Sequence, residues 1–513
     1  MPAVREMEYP TARNRPDMTA IWRRRPQTRG FCTAICSFMG VVLVWSRLAN
    51  LGTSFWSDEA YSAFFYSGRG PRAIFFDTYV PNNHVLYELA SWVTAGAFGR
   101  VEASYRIWSV FPALAAVALA AWWARKRIGV IAATVVVLLA TISPVHLVLA
   151  PQARGYGLAM FAAVVMLLGA VRASDRDDGR GVALFATGAL VGIWTLPVFA
   201  IAAAAQAAVL LWNPRLRKAT LIACGVITAA SLAFYAPMLG DILHNAHQKF
   251  GTQLALVGVF TGAYHQIAAP TIANALPSDP HALLNELATF GVIAVLAAVA
   301  VVRLGRAKGS DRALLLHVTV PIFGTYLALV AGRFYLQPRF ASYLLFHVLL
   351  LFAIGAQQIW DALASIAPLK VFAAIVIVAV AITGTTRVAT VTEDQALLPW
   401  ENSKFVAEFA KSTGLNFVFT DSTHPAGLYF YMGEKRVVHM LPAAVRKESY
   451  CAVKSRFIFV DDTYHQPFKP NLKCLADRRA VRIRVPQQKV PPIRRPGVLT
   501  VYLVPKAGGA SAR

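Results

Sequence analysis

Long apolar runs separated by short polar stretches occupy most of the chain. A helix that crosses a bilayer needs about 20 predominantly apolar residues. The runs therefore predict about 11 transmembrane helices, at residues 31–51, 107–124, 128–144, 156–171, 181–194, 196–212, 219–239, 283–302, 313–332, 341–360 and 369–387. The runs at 156–171 and 181–194 are short, and 181–194 leads almost directly into the next run.

The stretch 85–99 is apolar but short, and it contains Glu88. Cytoplasmic loops of membrane proteins carry an excess of Lys and Arg. The basic loops at 125–127, 172–180, 215–218 and 303–312 share a side with the basic N-terminal tail only if 85–99 does not span. We therefore predict an in-plane helix at 85–99, at the outer surface and inside a first outer loop at 52–106.

The pattern changes after residue 387. Short β-branched and aromatic runs at 415–420, 456–460, 481–485 and 498–504 predict strands, and 400–412 has helical periodicity. The predicted organisation is a cytoplasmic basic tail at 1–30, a transmembrane module at 31–387 and an extracytoplasmic α/β domain at 388–513. The first helix would be an uncleaved signal anchor. In this domain Cys451 and Cys474 either stay free or form a disulfide, as an oxidising compartment would allow.

Composition and charge narrow the class of protein. Hydrophobic residues make up 57% of the chain and charged residues 15%, against about 25% charged in soluble domains. The net charge is nevertheless +24. Nucleic-acid binding is one explanation of such a charge. The predicted cytoplasmic segments alone carry 21 basic and 8 acidic residues, so about half of the charge is a topology signal and we expect no nucleic-acid partner.

Two adjacent carboxylates, Asp58 and Glu59, follow the first predicted span, with aromatic residues such as Tyr61 around them. A carboxylate that is partly desolvated at the membrane surface is a better base. Alternatively, these acids lie in the first turn of a helix capped by Ser57, opposite the helix dipole.

Polar residues recur in the other predicted outer loops. Arg154, Arg333 and Arg339 run against the bias that places basic residues inside. The planar guanidinium suits a phosphate, although an arginine at the interface can also extend its charge to water without a ligand. His84, which follows Asn83, is either a site residue or a structural histidine.

The segment Trp56-Ser57-Asp58-Glu59-Ala60 resembles the first-loop Asp-Glu motif of GT-C fold membrane glycosyltransferases. The resemblance is greatest to the group of protein O-mannosyltransferases and the lipid A aminoarabinose transferase. Residues 83–87, 104–107 with 111–114, 150–156 and 337–340 resemble further motifs of that group, in the same order. The resemblance covers roughly residues 40–360.

This resemblance implies an inverting glycosyltransferase, moving a hexosyl or pentosyl group from a polyprenyl-phosphate-linked donor to an envelope glycan, lipid or protein. The enzyme would lie in a bacterial inner membrane, with its active site facing the periplasm. Asp58 would be the general base, and Glu59 would position the acceptor or join Asp58 in holding Mg²⁺ or Mn²⁺. The other implied roles are phosphate binding by Arg154, Arg339 and Arg333, and substrate lining by His84, Asn83, Tyr156, Gln152 and Tyr61.

Two departures and two alternatives accompany the resemblance. Phe340 stands where the group often has Tyr, and residues 144–156 contain no acid, which weighs against an obligatory metal. A lipid-linked glycan polymerase or ligase is a near neighbour in chemistry. A secondary transporter would show inverted repeats and acids in the middle of spans, and neither is evident in the sequence.

Overall fold

Helices form most of the protein in the computed structural model. The structure describes residues 26–77, 79–80, 83–249, 282–306, 309–331, 338–363, 366–396, 402–415, 418–420, 426–439, 453, 455–462, 473–477, 479–483 and 499–506. The helices are α1 (Pro26–Leu48), α2 (Ser57–Tyr61), α3 (Pro71–Phe76), α4 (Val85–Phe98), α5 (Glu102–Arg127), α6 (Val130–Ile142), α7 (Pro144–Leu149), α8 (Tyr156–Arg176), α9 (Gly179–Thr195), α10 (Phe199–Leu211), α11 (Pro214–Tyr235), α12 (Leu239–Lys249), α13 (Ala282–Arg306), α14 (Ser310–Ala331), α15 (Leu345–Ala362), α16 (Ala367–Ala396), α17 (Ser403–Ser412), α18 (Ala426–Met432) and α19 (Lys473–Asp477). A π-helix (Ser62–Ser67) directly follows α2, and a 3₁₀ helix (Pro338–Leu344) directly precedes α15.

A helix occupies each of the eleven segments predicted to span the membrane. Within the described residues, six helices are long and apolar enough to cross a bilayer: Gly30–Leu48, Glu102–Arg127, Tyr156–Arg176, Pro214–His244, Arg339–Ala362 and Pro368–Thr392. Two further apolar helices, α6 and α10, have only 13 residues each. The apolar, helical character of the predicted module is therefore confirmed, and the count of eleven spans stays a prediction.

The chain forms two compact units. The helical unit comprises Met1–Arg47, Ser109–Pro151 and Gly155–Val388, and the composite unit comprises Leu48–Trp108, Gln152–Arg154 and Ala389–Arg513. The composite unit thus joins residues that the sequence divides between the predicted transmembrane module and the predicted C-terminal domain. The predicted first outer loop and residues 389–513 therefore belong to one compact unit rather than to two independent ones.

The strands of the composite unit form one five-stranded sheet. They are β1 (Val418–Thr420), β2 (Val437–His439), β3 (Phe457–Asp462), β4 (Val481–Ile483) and β5 (Leu499–Val504), in the spatial order β2-β1-β3-β5-β4. β1 pairs in parallel with β2 and β3, whereas β5 pairs antiparallel with β3 and β4. The four predicted strands and the helix α17 are found. The strand β2 was not predicted from the sequence.

Helix α4 coincides with the predicted in-plane helix. It has 14 residues, too few to cross a bilayer. Tyr87, Glu88 and Ser91 lie on its buried face, whereas Trp92 and Val93 are exposed. The helix is confirmed, and an exposed apolar face is typical of helices that lie at a membrane surface.

Buried polar contacts join helices inside the helical unit. Arg47 Nη2 donates to the carbonyls of Ala140 and Thr141, at 2.9 and 3.0 Å, and so satisfies acceptors at the end of α6 that have no partner within the helix. His317 Nε2 lies 2.7 Å from Ser174 Oγ, and its Nδ1 lies 2.7 Å from the Gln206 amide. Such contacts align helices in an apolar environment, where packing alone discriminates poorly.

A glycine permits a close approach of α8 to α5. Gly157, in the first turn of α8, packs against the Ser109 backbone of α5, and its N–H donates to Ser109 Oγ at 3.4 Å. A Cβ atom at position 157 would overlap the Ser109 carbonyl oxygen. The contact fixes the start of α8, which carries Tyr156.

Candidate active site

The Asp58–Glu59 pair lies in the first turn of α2. Trp56 precedes the helix in an extended conformation (φ −71°, ψ 159°), and its N–H donates to Glu59 Oε2 at 2.9 Å. The helix-terminus explanation of the two acids therefore holds for Glu59, with Trp56 rather than Ser57 at the cap position. α2 continues into the π-helix, an irregularity that is frequent at functional sites.

Glu59 is buried and fully used by the protein. Oε1 accepts from Arg106 Nε at 3.1 Å and from the Ala153 N–H, and Oε2 accepts from Arg106 Nη2 at 2.9 Å and from the Trp56 N–H. The side chain is 1% exposed. A carboxylate held in this way fixes the chain around it and leaves little capacity for an acceptor or a cation.

Arg106 also organises the turn between α1 and α2. Its Nη1 donates to the carbonyls of Asn50, Leu51 and Thr53 at 2.8–3.0 Å, and Nη2 donates to the carbonyl of Ser54 at 3.2 Å. The sequence places Arg106 in a motif of the resembling group but assigns it no role. The available signal was a basic residue at the start of an apolar span, which is costly unless the charge is paired.

Asp58 differs from Glu59 in its accessibility. Its side chain is 38% exposed, and Oδ2 lies 3.5 Å from Arg154 Nη1. The Arg154 side chain is only 1% exposed, and its Nη2 lies 2.8 Å from His84 Nε2. Because a guanidinium only donates hydrogen bonds, His84 Nε2 accepts, which assigns a neutral imidazole with its proton on Nδ1. Asp58, Arg154 and His84 thus form a continuous row.

The remaining first-loop residues of the predicted site lie in the same unit. Asn83 is buried beside the Tyr66 hydroxyl. The ring of Tyr61 lies 4.7 Å from that of Phe65, on the continuous α2 and π-helix. The Gln152 carbonyl accepts from the Arg154 N–H at 2.7 Å, so Gln152 shapes the turn that presents Arg154.

Tyr156 and Arg339 belong to the helical unit. The Tyr156 side chain is buried at the start of α8, and its ring lies 6.5 Å from that of Phe340. The Arg339 guanidinium lies 5.5 Å above the Phe340 ring. Phe340, which departs from the motif of the resembling group, therefore links these two residues. Arg333 lies outside the described residues, as do Cys451 and the Cys474 side chain.

Helix α18 of the C-terminal segment packs against the turn that precedes α2. The Phe430 ring lies 4.9 Å from Phe55 and 5.8 Å from Tyr105, and the Tyr431 hydroxyl accepts from the Phe55 N–H at 2.9 Å. The same hydroxyl donates to Glu102 Oε1 at 3.2 Å. This support was missed in the sequence because α18 has only seven residues and its partners lie in the first loop.

The described residues offer a poor fit for a metal bound by the Asp58–Glu59 pair. They contain no group of three or more His, Cys, Asp and Glu side chains that could hold a metal ion. Both Glu59 oxygens already accept hydrogen bonds, and a cationic partner, Arg106, neutralises their charge.

Solved structures of two other proteins share this fold. ArnT, the lipid A aminoarabinose transferase of Cupriavidus metallidurans, bound to undecaprenyl phosphate, superposes with a TM-score of 0.58 at 12% identity, covering 92% of this chain and 98% of its own. The apo oligosaccharyltransferase of Archaeoglobus fulgidus gives a TM-score of 0.50 at 14% identity, covering 86% of this chain and 70% of its own. No protein-family model and no curated protein sequence matches the chain.

The chain therefore has the GT-C fold of membrane glycosyltransferases. With its apolar helices, it is an integral membrane protein. The resemblance expected from the sequence motifs is confirmed at the level of the fold.

Proposed function

We propose that this protein is an inverting glycosyltransferase that uses a polyprenyl-phosphate-linked sugar as its donor. The proposal rests above all on one arrangement: a partly exposed carboxylate, Asp58, beside a buried arginine, Arg154, on a GT-C fold. A base and an anion-binding group at neighbouring positions match the two needs of such a transfer. The structural neighbour bound to undecaprenyl phosphate supports the lipid class of the donor.

In the proposed reaction the acceptor hydroxyl loses its proton to Asp58 as its oxygen attacks the anomeric carbon. The bond between that carbon and the phosphate oxygen breaks, and the polyprenyl phosphate leaves with the bonding electrons. Arg154 stabilises the negative charge that develops on the phosphate. One base opposite the leaving group gives inversion, whereas retention requires a nucleophilic carboxylate in addition.

Further groups have supporting roles in this proposal. Arg339 and Arg333 would add positive charge for the phosphate, and Tyr156 would line the site. Glu59 holds Ala153, the residue before Arg154, so it would position the donor-binding arginine rather than the acceptor. If a divalent cation, Mg²⁺ or Mn²⁺, takes part, Asp58 would help to hold it, and no step above depends on it.

The proposed acceptor is an envelope glycan, lipid or protein. The proposed setting is a bacterial inner membrane, crossed about 11 times, with the site and residues 388–513 on the periplasmic side. A reporter fused after Arg127 should then be cytoplasmic, and one fused after Arg387 periplasmic. If both fusions are cytoplasmic, the number of spans between Arg127 and Arg387 is even.

The decisive experiment compares Asp58→Asn with Asp77→Asn. Both variants remove one charge from the first loop, and Asp77 is exposed and forms no part of the proposed site. Transfer from a polyprenyl-phosphate-linked sugar, followed by comparative glycan analysis of the envelope, should be abolished in Asp58→Asn and retained in Asp77→Asn. Turnover by a folded Asp58→Asn protein would exclude Asp58 as the base.

A further inference from the structure

Glu88 is a buried carboxyl that the proposed chemistry does not use. It lies in the first turn of α4 and is completely buried. Its Oε1 accepts from Ser62 Oγ at 3.2 Å and from the His84 N–H at 3.4 Å. Its Oε2 is buried and has no hydrogen-bond partner within the described part of the chain. Burial of a carboxyl with an oxygen that lacks a hydrogen bond is costly, and the cost is larger for the ionised form than for the neutral form.

The two partners of Glu88 belong to different segments of the proposed site. Ser62 begins the π-helix that directly continues the Asp58 helix. His84 contacts Arg154. Glu88 therefore links the segment that carries the base to the segment that supports the donor-binding arginine.

We propose that Glu88 is a positioning residue that holds Ser62 and His84 in place, and that it takes up a proton when an anionic donor binds at Arg154. This inference rests on the proposed function, because it assumes that Arg154 binds the lipid phosphate. It adds a second ionisable group to the site and couples donor affinity to pH.

The charges around Glu88 determine the direction of this coupling. Burial raises the pKa of Glu88 to about 7, although the positive charge of Arg154 and the hydrogen bonds from His84 and Ser62 act in the opposite direction. Tyr66 and Tyr79 also face Glu88, and burial raises the pKa of each phenol, so both stay neutral. His84 is neutral in the hydrogen-bonding arrangement above. Among these neighbours, Arg154 is the residue whose full charge acts on Glu88.

The raised pKa of Glu88 determines whether donor affinity rises or falls with pH. Below pH 7 Glu88 is neutral. Above pH 7 Glu88 becomes an anion, which repels a phosphate bound at Arg154. Donor affinity should therefore fall as the pH rises through about 7. By reciprocity, a bound phosphate raises the pKa of Glu88 and draws a proton from solvent. For a rise of about one pKa unit, the uptake at pH 7 is about 0.4 proton.

The test is calorimetric titration of the full-length protein in lipid nanodiscs with undecaprenyl phosphate at pH 7. Two buffers of different ionisation enthalpy give the number of protons taken up on binding. Glu88→Gln keeps an oxygen that can accept both hydrogen bonds but cannot take up a proton. Its uptake should be lower than that of the unsubstituted protein by about 0.4 proton. Ionisation of the lipid phosphate contributes to both measurements and is removed by the difference.

Two further variants complete the design. Ser62→Ala removes a hydrogen bond that lowers the pKa of Glu88, so the fall in affinity should shift to higher pH. Glu434→Gln, in an exposed ion pair with Arg69 of the same unit, should behave like the unsubstituted protein. Equal proton uptake with and without Glu88→Gln, or an unshifted pH profile in Ser62→Ala, would overturn the role of Glu88 alone. Absence of undecaprenyl phosphate binding in every variant would overturn the donor class and this inference together.

Discussion

The Arg106 guanidinium and the Glu59 carboxylate form a two-point ion pair, with N···O distances of 3.1 and 2.9 Å, inside the composite unit. Both side chains are almost completely buried. Arg106 also donates to a carbonyl of the turn before α2, and Glu59 accepts from the N–H of Ala153. Adjacent carboxylates in the sequence thus have different tasks: Glu59 holds the structure together, while Asp58 stays accessible to a substrate.

Because Glu59 has a structural task, Glu59→Gln should mainly lower the stability of the protein. Removing one partner of a buried ion pair leaves the other charge uncompensated, which costs about 3–5 kcal/mol. The unfolding temperature in detergent should fall clearly, whereas Glu434→Gln, in an exposed pair, should change it little. If Glu59→Gln retained full stability and lost only transfer, Glu59 would have the direct role in acceptor positioning that the family resemblance implies.

A second prediction concerns the donor arginine. Arg154→Ala should raise the KM for the polyprenyl-phosphate donor by about 10- to 100-fold, since a hydrogen bond to a charged group contributes about 1.5–3 kcal/mol. Arg69→Ala is the matched control, because Arg69 is half-exposed and contacts Phe64, Phe65 and Glu434. Steady-state kinetics at varied donor concentration measure both. A donor KM unchanged by Arg154→Ala would make Arg154 a purely structural partner of Asp58 and His84.

A third prediction separates two helix glycines. Gly157→Ala should destabilise the protein by about 1–3 kcal/mol, because the added methyl group overlaps the Ser109 carbonyl oxygen and forces α8 away from α5. Gly225→Ala, in the middle of α11, meets nothing within 4 Å and should be neutral or slightly stabilising. Thermal unfolding compares the two. Equal stability of both variants would show that α8 can shift without cost.

The periodic and apolar parts of the sequence predicted the fold well. Each long apolar run became a helix, and α4 appeared where a short apolar stretch with a single acid had predicted it. Four strands of the sheet also followed from β-branched runs. These features depend on local composition, which a sequence displays directly.

The site was predictable in part. Asp58, His84 and Arg154 are polar residues in predicted outer loops, and the sequence analysis assigned all three to one site. The structure places them in one row. Asp58 and Glu59 received different roles only through the family resemblance, and the sequence did not show that Glu59 is buried against Arg106 while Asp58 stays partly exposed. Contacts between distant segments cannot be derived from local patterns.

Glu88 was missed as a member of the site for a related reason. In the sequence it is a single acid that interrupts an apolar stretch, and it served only to argue against a span. Its link to Ser62 and His84 depends on the packing of α4 against the π-helix. Burial of the carboxyl follows from that packing and not from the composition of α4.

The hydrogen bond between the Phe55 N–H and the Tyr431 hydroxyl joins residues 376 positions apart in the chain. Ribosomes release a membrane protein from its N-terminus onward, so the loop with Asp58 emerges long before its partner helix α18. Residues 48–108 can therefore form these supporting contacts only after α18 has been synthesised. A nascent chain that ends before α18 would contain Asp58 without this support, and the proposed site would be completed only after that helix is made.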